Sequence, residues 1–366
     1  MLNNISILQK IIKINTESSK SNLPLIVLAK EILEQNGFKI KVEKVKDRGV
    51  IKANLIATIG NQKNGGIILS CHTDTVSASK LWQTNPFNLT IKNNCYFGLG
   101  TIDVKGFLAC AISASCNIIK KYGSPKRVLT LLLTFNEETD FLGVKELLAK
   151  NRLPKPILAV IGEPTNLKPA ISHKGVSVVN IEIFGKEAHG SNPSQGINAI
   201  EAAGEMILAI KGLTKKPSCP AINIGKIVGG LEINKVPDFC AVDLEFRPGI
   251  FQENTKMFAV IKKIAQKIVQ KKLATKIDIK ETVLIPPFCS LVQKNILRQV
   301  EGMTKEKSVS VLYGSEAAFF GKQKIPTILL GPGDIRRAHQ ADEFITKEEL
   351  YLTEKNLEVL IKSFCY

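Results

Sequence analysis

The chain has 366 residues, 44% of them hydrophobic, which is enough for two separate cores. No apolar run reaches the roughly eighteen residues of a membrane-spanning helix. The N-terminal Met-Leu-Asn-Asn-Ile-Ser lacks a basic stretch followed by an unbroken apolar one, so no membrane association and a cytoplasmic location are expected. A formal net charge of +17 invites a nucleic-acid partner. Against that, the basic residues are mostly lysines spread along amphipathic segments, as at Lys262, Lys263, Lys267, Lys271 and Lys272, without interleaved aromatics. No nucleic-acid partner is expected. The eight cysteines include no Cys-x-x-Cys pair, and Cys110, Cys116 and Cys240 read as small buried hydrophobes of a reducing compartment; Cys71, beside His72, reads as a buried strand-end residue, with a metal ligand as the alternative.

In chain order, residues 4–14 and 22–37 carry helical periodicity, the second stopping at Asn36-Gly37 as a helix C-cap does. Residues 39–45 and 53–59 read as strands. Gly65-Gly66 predicts a turn into a short apolar strand, residues 67–70, just ahead of His72. Residues 107–122 predict a helix closed by Gly123 and Pro125. Three more apolar strands follow. Residues 128–135 end in Asn136-Glu137-Glu138, residues 157–161 in Gly162-Glu163-Pro164, and residues 325–330 in Gly-Pro-Gly-Asp with His339 downstream. Runs apolar on both faces and separated by helices predict an α/β fold, a mostly parallel sheet covered by helices on both faces.

Residues 174–285 are patterned differently. A strand at 176–184, a helix at 199–213, strands at 221–228 and 239–246, a helix at 254–272 and a strand at 275–283 give the order β-α-β-β-α-β of a ferredoxin-like α+β domain. The expected organisation is a catalytic domain split into residues 1–173 and 286–366, with a smaller domain inserted at 174–285.

In a parallel sheet, ligands gather beyond the carboxyl ends of the strands. His72, Glu137, Glu138, Glu163 and His339 all fall there, and Asp103 stands where a glycine-rich turn enters a helix. Singly, each reads as an ordinary turn or cap residue; together they read as one site. Two divalent ions would take such carboxylates and imidazoles and share one ligand. Adjacent Glu137 and Glu138 should diverge, so that one binds metal while the other stays free as a general base. Asp74, two residues after His72, is placed to orient the imidazole.

Several motifs extend the pattern. They are His72-Thr-Asp74, Gly100-Thr-Ile-Asp103-Val-Lys-Gly106, Asn136-Glu-Glu138, Gly162-Glu-Pro-Thr165, His173-Lys-Gly175, His189, Gly229-Gly230 with Asn234 and Val236-Pro237, Arg247-Pro248, Tyr313-Gly-Ser-Glu316-Ala, and Gly331-Pro-Gly-Asp334 with Ala338-His339-Gln340 and Asp342-Glu343. In this order and over nearly the whole chain, they resemble those of the two-zinc aminoacylase and carboxypeptidase family. The resemblance implies a zinc-peptidase-like fold and a metal-dependent amidohydrolase acting on a small acylated amino acid. It implies two divalent ions, zinc or alternatively cobalt. Asp103 would bridge them, with His72 and Glu163 on one ion and Glu138 and His339 on the other, and Glu137 as acid and base. It further implies a homodimer formed through the inserted domain, with His189 reaching the partner's site to stabilise the oxyanion. Asn234 and Arg247 match positions that grip a substrate carboxylate. Leu99, Val104, Gly190 and Ser315 stand where arginine, methionine, serine and threonine are common in the family; none of these departures removes a ligand or the base.

Overall fold

A computed structural model describes residues 3–150, 153–214, 220–249 and 251–366. The chain divides into two units. One comprises the residues up to Ser172 with Cys289–Val311 and Ser315–Tyr366; the other comprises His173–Phe288 with Leu312–Gly314. At the centre of the first lie four parallel strands, Arg127–Thr134, Gln62–His72, Leu158–Ile161 and Thr327–Leu329, side by side in that order. An antiparallel hairpin, Lys39–Asp47 with Val50–Ile59, extends the sheet beyond Arg127–Thr134.

The two faces of these strands are both covered. Ile67, Leu69 and Cys71, with Leu129, Leu131 and Leu133, join a buried cluster that includes the helices Asn4–Ile12, Lys105–Tyr122 and Lys347–Cys365. Alternate residues Ile68, Ser70, Thr130 and Leu132 are equally buried on the opposite face. There Asn54 bonds the Gly143 carbonyl at 2.8 Å, tying the sheet to the Leu142–Ala149 helix. Strands buried on both sides admit few ionisable side chains along their length, which leaves their ends as the place for charged chemistry.

Among the departures from the sequence reading, two have a clear physical cause. Gly65-Gly66 is not a turn: the strand begins at Gln62 and runs through both glycines, with an irregular register between Gln62 and Ile67. Gly65 is left-handed (φ +84), as in a bulge, and a Cβ on Gly66 would lie 1.7 Å from the Val128 carbonyl oxygen. The glycines thus serve close strand approach rather than chain reversal. The second departure is the Lys347–Cys365 helix, absent from the predicted elements. It opens with a capping box in which the Thr346 hydroxyl accepts from Glu349 N (3.1 Å) and the Glu349 carboxylate accepts from Thr346 N (2.8 Å). That Thr-x-x-Glu spacing is its signal in the sequence.

The second unit is a four-stranded antiparallel sheet in the order Ala221–Gly229, Phe239–Arg247, Val176–Phe184, Lys276–Ile285. Helices Ala199–Leu213 and Phe251–Gln270 share one core with its alternating Val179, Ile181, Ile183, Val242, Leu244 and Phe246. The elements follow the order β-α-β-β-α-β.

Gly66 and Gly49 separate two glycine effects. Gly66→Ala should cost about 3 kcal/mol or more, because backbone must move away from Val128. Gly49→Ala meets nothing within 4 Å and carries only the strain of φ +86, about 1 kcal/mol. Thermal denaturation of the two variants should rank them in that order, and equal shifts would contradict it.

Candidate metal centre

The site of the first unit is built from residues beyond the strand ends and from the loop ahead of the Lys105–Tyr122 helix. His72 closes the Gln62–His72 strand and is buried. Its Nδ1 bonds the backbone carbonyl of Asp74 (3.0 Å), which turns Nε2 toward Asp103 Oδ1 (3.0 Å). Asp103 ends a loop entered through left-handed Gly100 (φ +81) and followed by the Lys105–Tyr122 helix. The loop is held by Glu343, whose buried carboxylate accepts from the backbone N–H groups of Gly100 (3.0 Å), Ile102 (2.6 Å) and Asp103 (3.2 Å). Beyond the Arg127–Thr134 strand the chain turns at left-handed Asn136 (φ +60) and presents Glu137 and Glu138. Glu163 follows the Leu158–Ile161 strand and is buried. His339, itself left-handed (φ +59), brings Nε2 to 3.0 Å from Glu138 Oε1 and 3.3 Å from Asp103 Oδ2.

The result is two triads with one member in common. His72, Asp103 and Glu163 place ligand atoms within 4.8 Å of one another, and so do Asp103, Glu138 and His339. Imidazole nitrogen and carboxylate oxygen suit a borderline-to-hard divalent cation. Glu163 Oε1 is buried with no hydrogen-bond partner, a costly arrangement for a carboxylate unless a cation occupies its lone pairs. The donor set therefore fits a pair of metal ions. Glu137 belongs to neither triad.

Crowding of acidic groups shapes the electrostatics. Desolvation, then the charge of Glu163, pushes the Glu137 carboxyl well above its usual range, and Glu138 and Asp103 add to the effect. Desolvation and the Asp103 charge likewise raise Glu163 and Glu138. Asp103 goes the other way: desolvation opposes its ionisation, but hydrogen bonds from His339 and His72 hold it well below the usual carboxylate range.

Several residues sit otherwise than the sequence reading expects. The Asp74 carboxylate lies beside His72 without hydrogen-bonding it. Its Oδ1 is 3.7 Å from the ring nitrogen, while Oδ1 and Oδ2 accept the N–H groups of Glu137 (3.1 Å) and Glu138 (3.2 Å). Two residues after His72, the main-chain carbonyl reaches the ring before the side chain can. Asp342 accepts from Thr84 N and Oγ1. Glu343 has no role in the sequence reading beyond its motif, because an acceptor of backbone N–H groups leaves no spacing pattern. Glu316 is also buried, and desolvation pushes it up to about 7. Leu99 and Val104 are both buried.

His189, Asn234 and Arg247 lie in the second unit. The first two are close together: His189 bridges Lys235, and Gly190 N donates to the Asn234 carbonyl at 2.7 Å. A Cβ at position 190 would fall 2.8 Å from that oxygen, so the strands approach too closely for the serine common in the family. Ser191 supplies a hydroxyl instead, 2.7 Å from His189 Nδ1. Arg247 pairs with Glu245 through its Nη2, 3.2 Å from each carboxylate oxygen.

A family model described as peptidase family M20/M25/M40 matches residues 68–363. Acetylornithine deacetylase of Buchnera aphidicola subsp. Schizaphis graminum is 37% identical, over 99% of this chain and 98% of that protein. The Pasteurella multocida acetylornithine deacetylase is 34% identical, over 96% and 94%. Among solved structures, a tripeptidase from Staphylococcus aureus matches with a TM-score of 0.84 at 19% identity, covering 100% of this chain and 99% of that one. The fold and the shared-ligand site are those of a metal-dependent hydrolase. The chain belongs to peptidase family M20/M25/M40.

Before an ion binds, the neighbouring carboxylates favour protonated imidazoles. Hydrogen bonds to Asp103 and Glu138 push His339 up to about 10, and although burial opposes it, the bond to Asp103 keeps His72 well above its usual range. Ions need the neutral rings, so metal binding should release protons at pH 7, and apparent affinity should rise with pH toward the His339 value. Calorimetric titration in buffers of different ionisation enthalpy measures the release; a titration releasing none would contradict this account.

Proposed function

We propose that the chain hydrolyses N2-acetyl-L-ornithine to L-ornithine and acetate, the step that supplies ornithine for arginine biosynthesis. The observation that carries the hydrolytic reading is Asp103 shared between two triads with Glu137 left over beside them. The choice of substrate rests on the full-length relatives, which bear the name acetylornithine deacetylase. The ions are zinc, with cobalt as the alternative, since mixed imidazole and carboxylate donors suit both. The enzyme is cytoplasmic and works as a homodimer joined through the second unit.

Held by His72, Asp103, Glu163, Glu138 and His339, the ions would acidify a water and polarise the acyl carbonyl. Glu137 takes the proton of the attacking water as the new C–O bond forms, and delivers it to the departing α-amine as the C–N bond breaks. Its desolvated, negatively crowded position favours the protonated form it must pass through. His189 of the partner subunit donates a hydrogen bond to the oxyanion. Both the backbone N–H and the hydroxyl of Ser191 face His189 Nδ1, consistent with a proton on Nε2. Asn234 and the planar guanidinium of Arg247 grip the substrate carboxylate, a bidentate task to which arginine is suited.

Steady-state kinetics with zinc or cobalt supplied should give a higher kcat/KM for N2-acetyl-L-ornithine than for N-succinyl-L,L-diaminopimelate or other acylamino acids. The reverse preference would replace the substrate and leave the chemistry standing. Tight, steeply salt-dependent DNA binding without amidase activity would instead favour a basic binding protein on an inactive scaffold.

Glu137→Gln should retain both ions and lose about 10²–10⁴ in kcat. Mixed and reassociated with a His189→Ala chain, it should regain about a quarter of wild-type activity, because half the dimers then hold one site with both residues intact. No recovery would place His189 and Glu137 of one site on the same chain.

A further inference from the structure

We infer that Glu343 is a positioning residue for Asp103, acting through the main chain of the Asp103 loop, and that it thereby sets the affinity of both ion sites at once. The inference rests on the reading of Asp103 as the ligand that two ions share. Among the described residues the Asp103 carboxylate meets only the imidazole nitrogens of His72 (3.0 Å) and His339 (3.3 Å). Those nitrogens are the ones that bound ions would occupy, so neither ring can then hold the carboxylate in place. The placement of Asp103 falls to its backbone.

One residue gathers that backbone. Glu343 Oε1 accepts the N–H groups of Ile102 (2.6 Å) and Asp103 (3.2 Å), and Oε2 accepts that of Gly100 (3.0 Å). Its main-chain carbonyl takes a fourth, from Gly98 (3.0 Å). At 2% exposure it is shielded from water, so solvent cannot replace these bonds if they are lost. The residues on either side extend the union. Phe344, Ile345 and Thr346 pair antiparallel with Phe97, Tyr96 and Cys95, and the Phe344 and Phe97 rings lie 5.2 Å apart. Glu343 continues this ladder past the end of the strand, into a loop that turns at left-handed Gly100 and has no ladder of its own. The pairing also fixes register between two ligand-bearing segments, because His339 lies four residues before Glu343 and Asp103 lies in the loop it holds. Asp103 belongs to both triads, whereas His72, Glu163, Glu138 and His339 each belong to one. A displaced Asp103 loop is therefore felt at both ions together.

The test measures zinc affinity at each site by competition with a chromophoric chelator, in the full-length protein and in Glu343→Gln, Glu343→Asp and Glu163→Gln. Glutamine turns an NH₂ group toward backbone N–H donors, so part of the clamp becomes a repulsion. Glu343→Gln should weaken both ions by about 10–100-fold, the usual cost of removing a group that supports a ligand. Glu163→Gln should weaken one ion far more than the other. In the cobalt-loaded protein, the magnetic coupling that a shared carboxylate carries between two ions should be reduced by Glu343→Gln, as read by electron paramagnetic resonance. Should Glu343→Gln fail to fold, Glu343→Asp keeps the charge but withdraws the carboxylate by one methylene, and should give a smaller loss at both sites. A purely structural role would lower the melting temperature while the folded protein kept wild-type zinc affinities and coupling. That outcome, or a loss confined to one ion, overturns the inference alone. A wild-type chain that binds fewer than two zinc ions, or two without coupling in the cobalt form, overturns the reading of Asp103 as the shared ligand.

Discussion

The mutual repulsion of four carboxylates, those of Asp103, Glu137, Glu138 and Glu163, is the constraint to which the rest of the first unit answers. They are gathered beyond the ends of parallel strands, where little water reaches them, and three of the four are pushed toward the protonated form. Positive charge alone makes such a cluster stable as carboxylates. The two histidines supply part of it through their bonds to Asp103 and Glu138. Divalent ions, which need the neutral rings, would take over that role when bound. Site chemistry and site stability are thus one problem: the crowding proposed to make a base of Glu137 is repulsion that bound cations would relieve.

Holding it also takes acceptors that never touch a reacting atom. Glu343 collects three backbone N–H groups from the Asp103 loop, and Asp74 collects two from the Glu137-Glu138 turn. Both act on main chain, so each fixes the path of the loop and leaves the functional side chain free to meet metal or water. Both turns leave regular structure through left-handed residues, Gly100 and Asn136, which a helix or strand ladder could not stabilise. The carboxylate clamps replace that ladder.

How much of this is legible in the sequence follows from the same physics. A strand buried on both faces shows as an unbroken apolar run, so its polar end is conspicuous; that is why His72, Glu137, Glu138 and Glu163 stand out. The second unit's strands are buried on one face, and alternation in Val176–Phe184 announces them. Gly65-Gly66 misleads because glycine serves both turns and close backbone approach, and only the neighbouring Val128 distinguishes the two. The three-residue strands Thr90–Lys92, Cys95–Phe97 and Phe344–Thr346 are too short for any periodicity to register. The tasks of Asp74 and Glu343 are invisible for a different reason. Their partners are N–H groups that every residue but proline possesses, so no residue type marks the other half of the contact.

Glu343 lies four residues past His339, and the Thr327–Leu329 strand that seats this segment is inserted beside Leu158–Ile161. The order of synthesis therefore matters. A nascent chain emerging from the ribosome carries His72, Asp103, Glu138 and Glu163 long before it carries the second imidazole, the clamp on the Asp103 loop, or the strand beneath them. Until residues past 343 are free to fold, the acidic cluster has neither its full ligand set nor its fixed geometry. Maturation of the centre thereby waits for residues 327–343, which follow the other ligands by more than 160 positions.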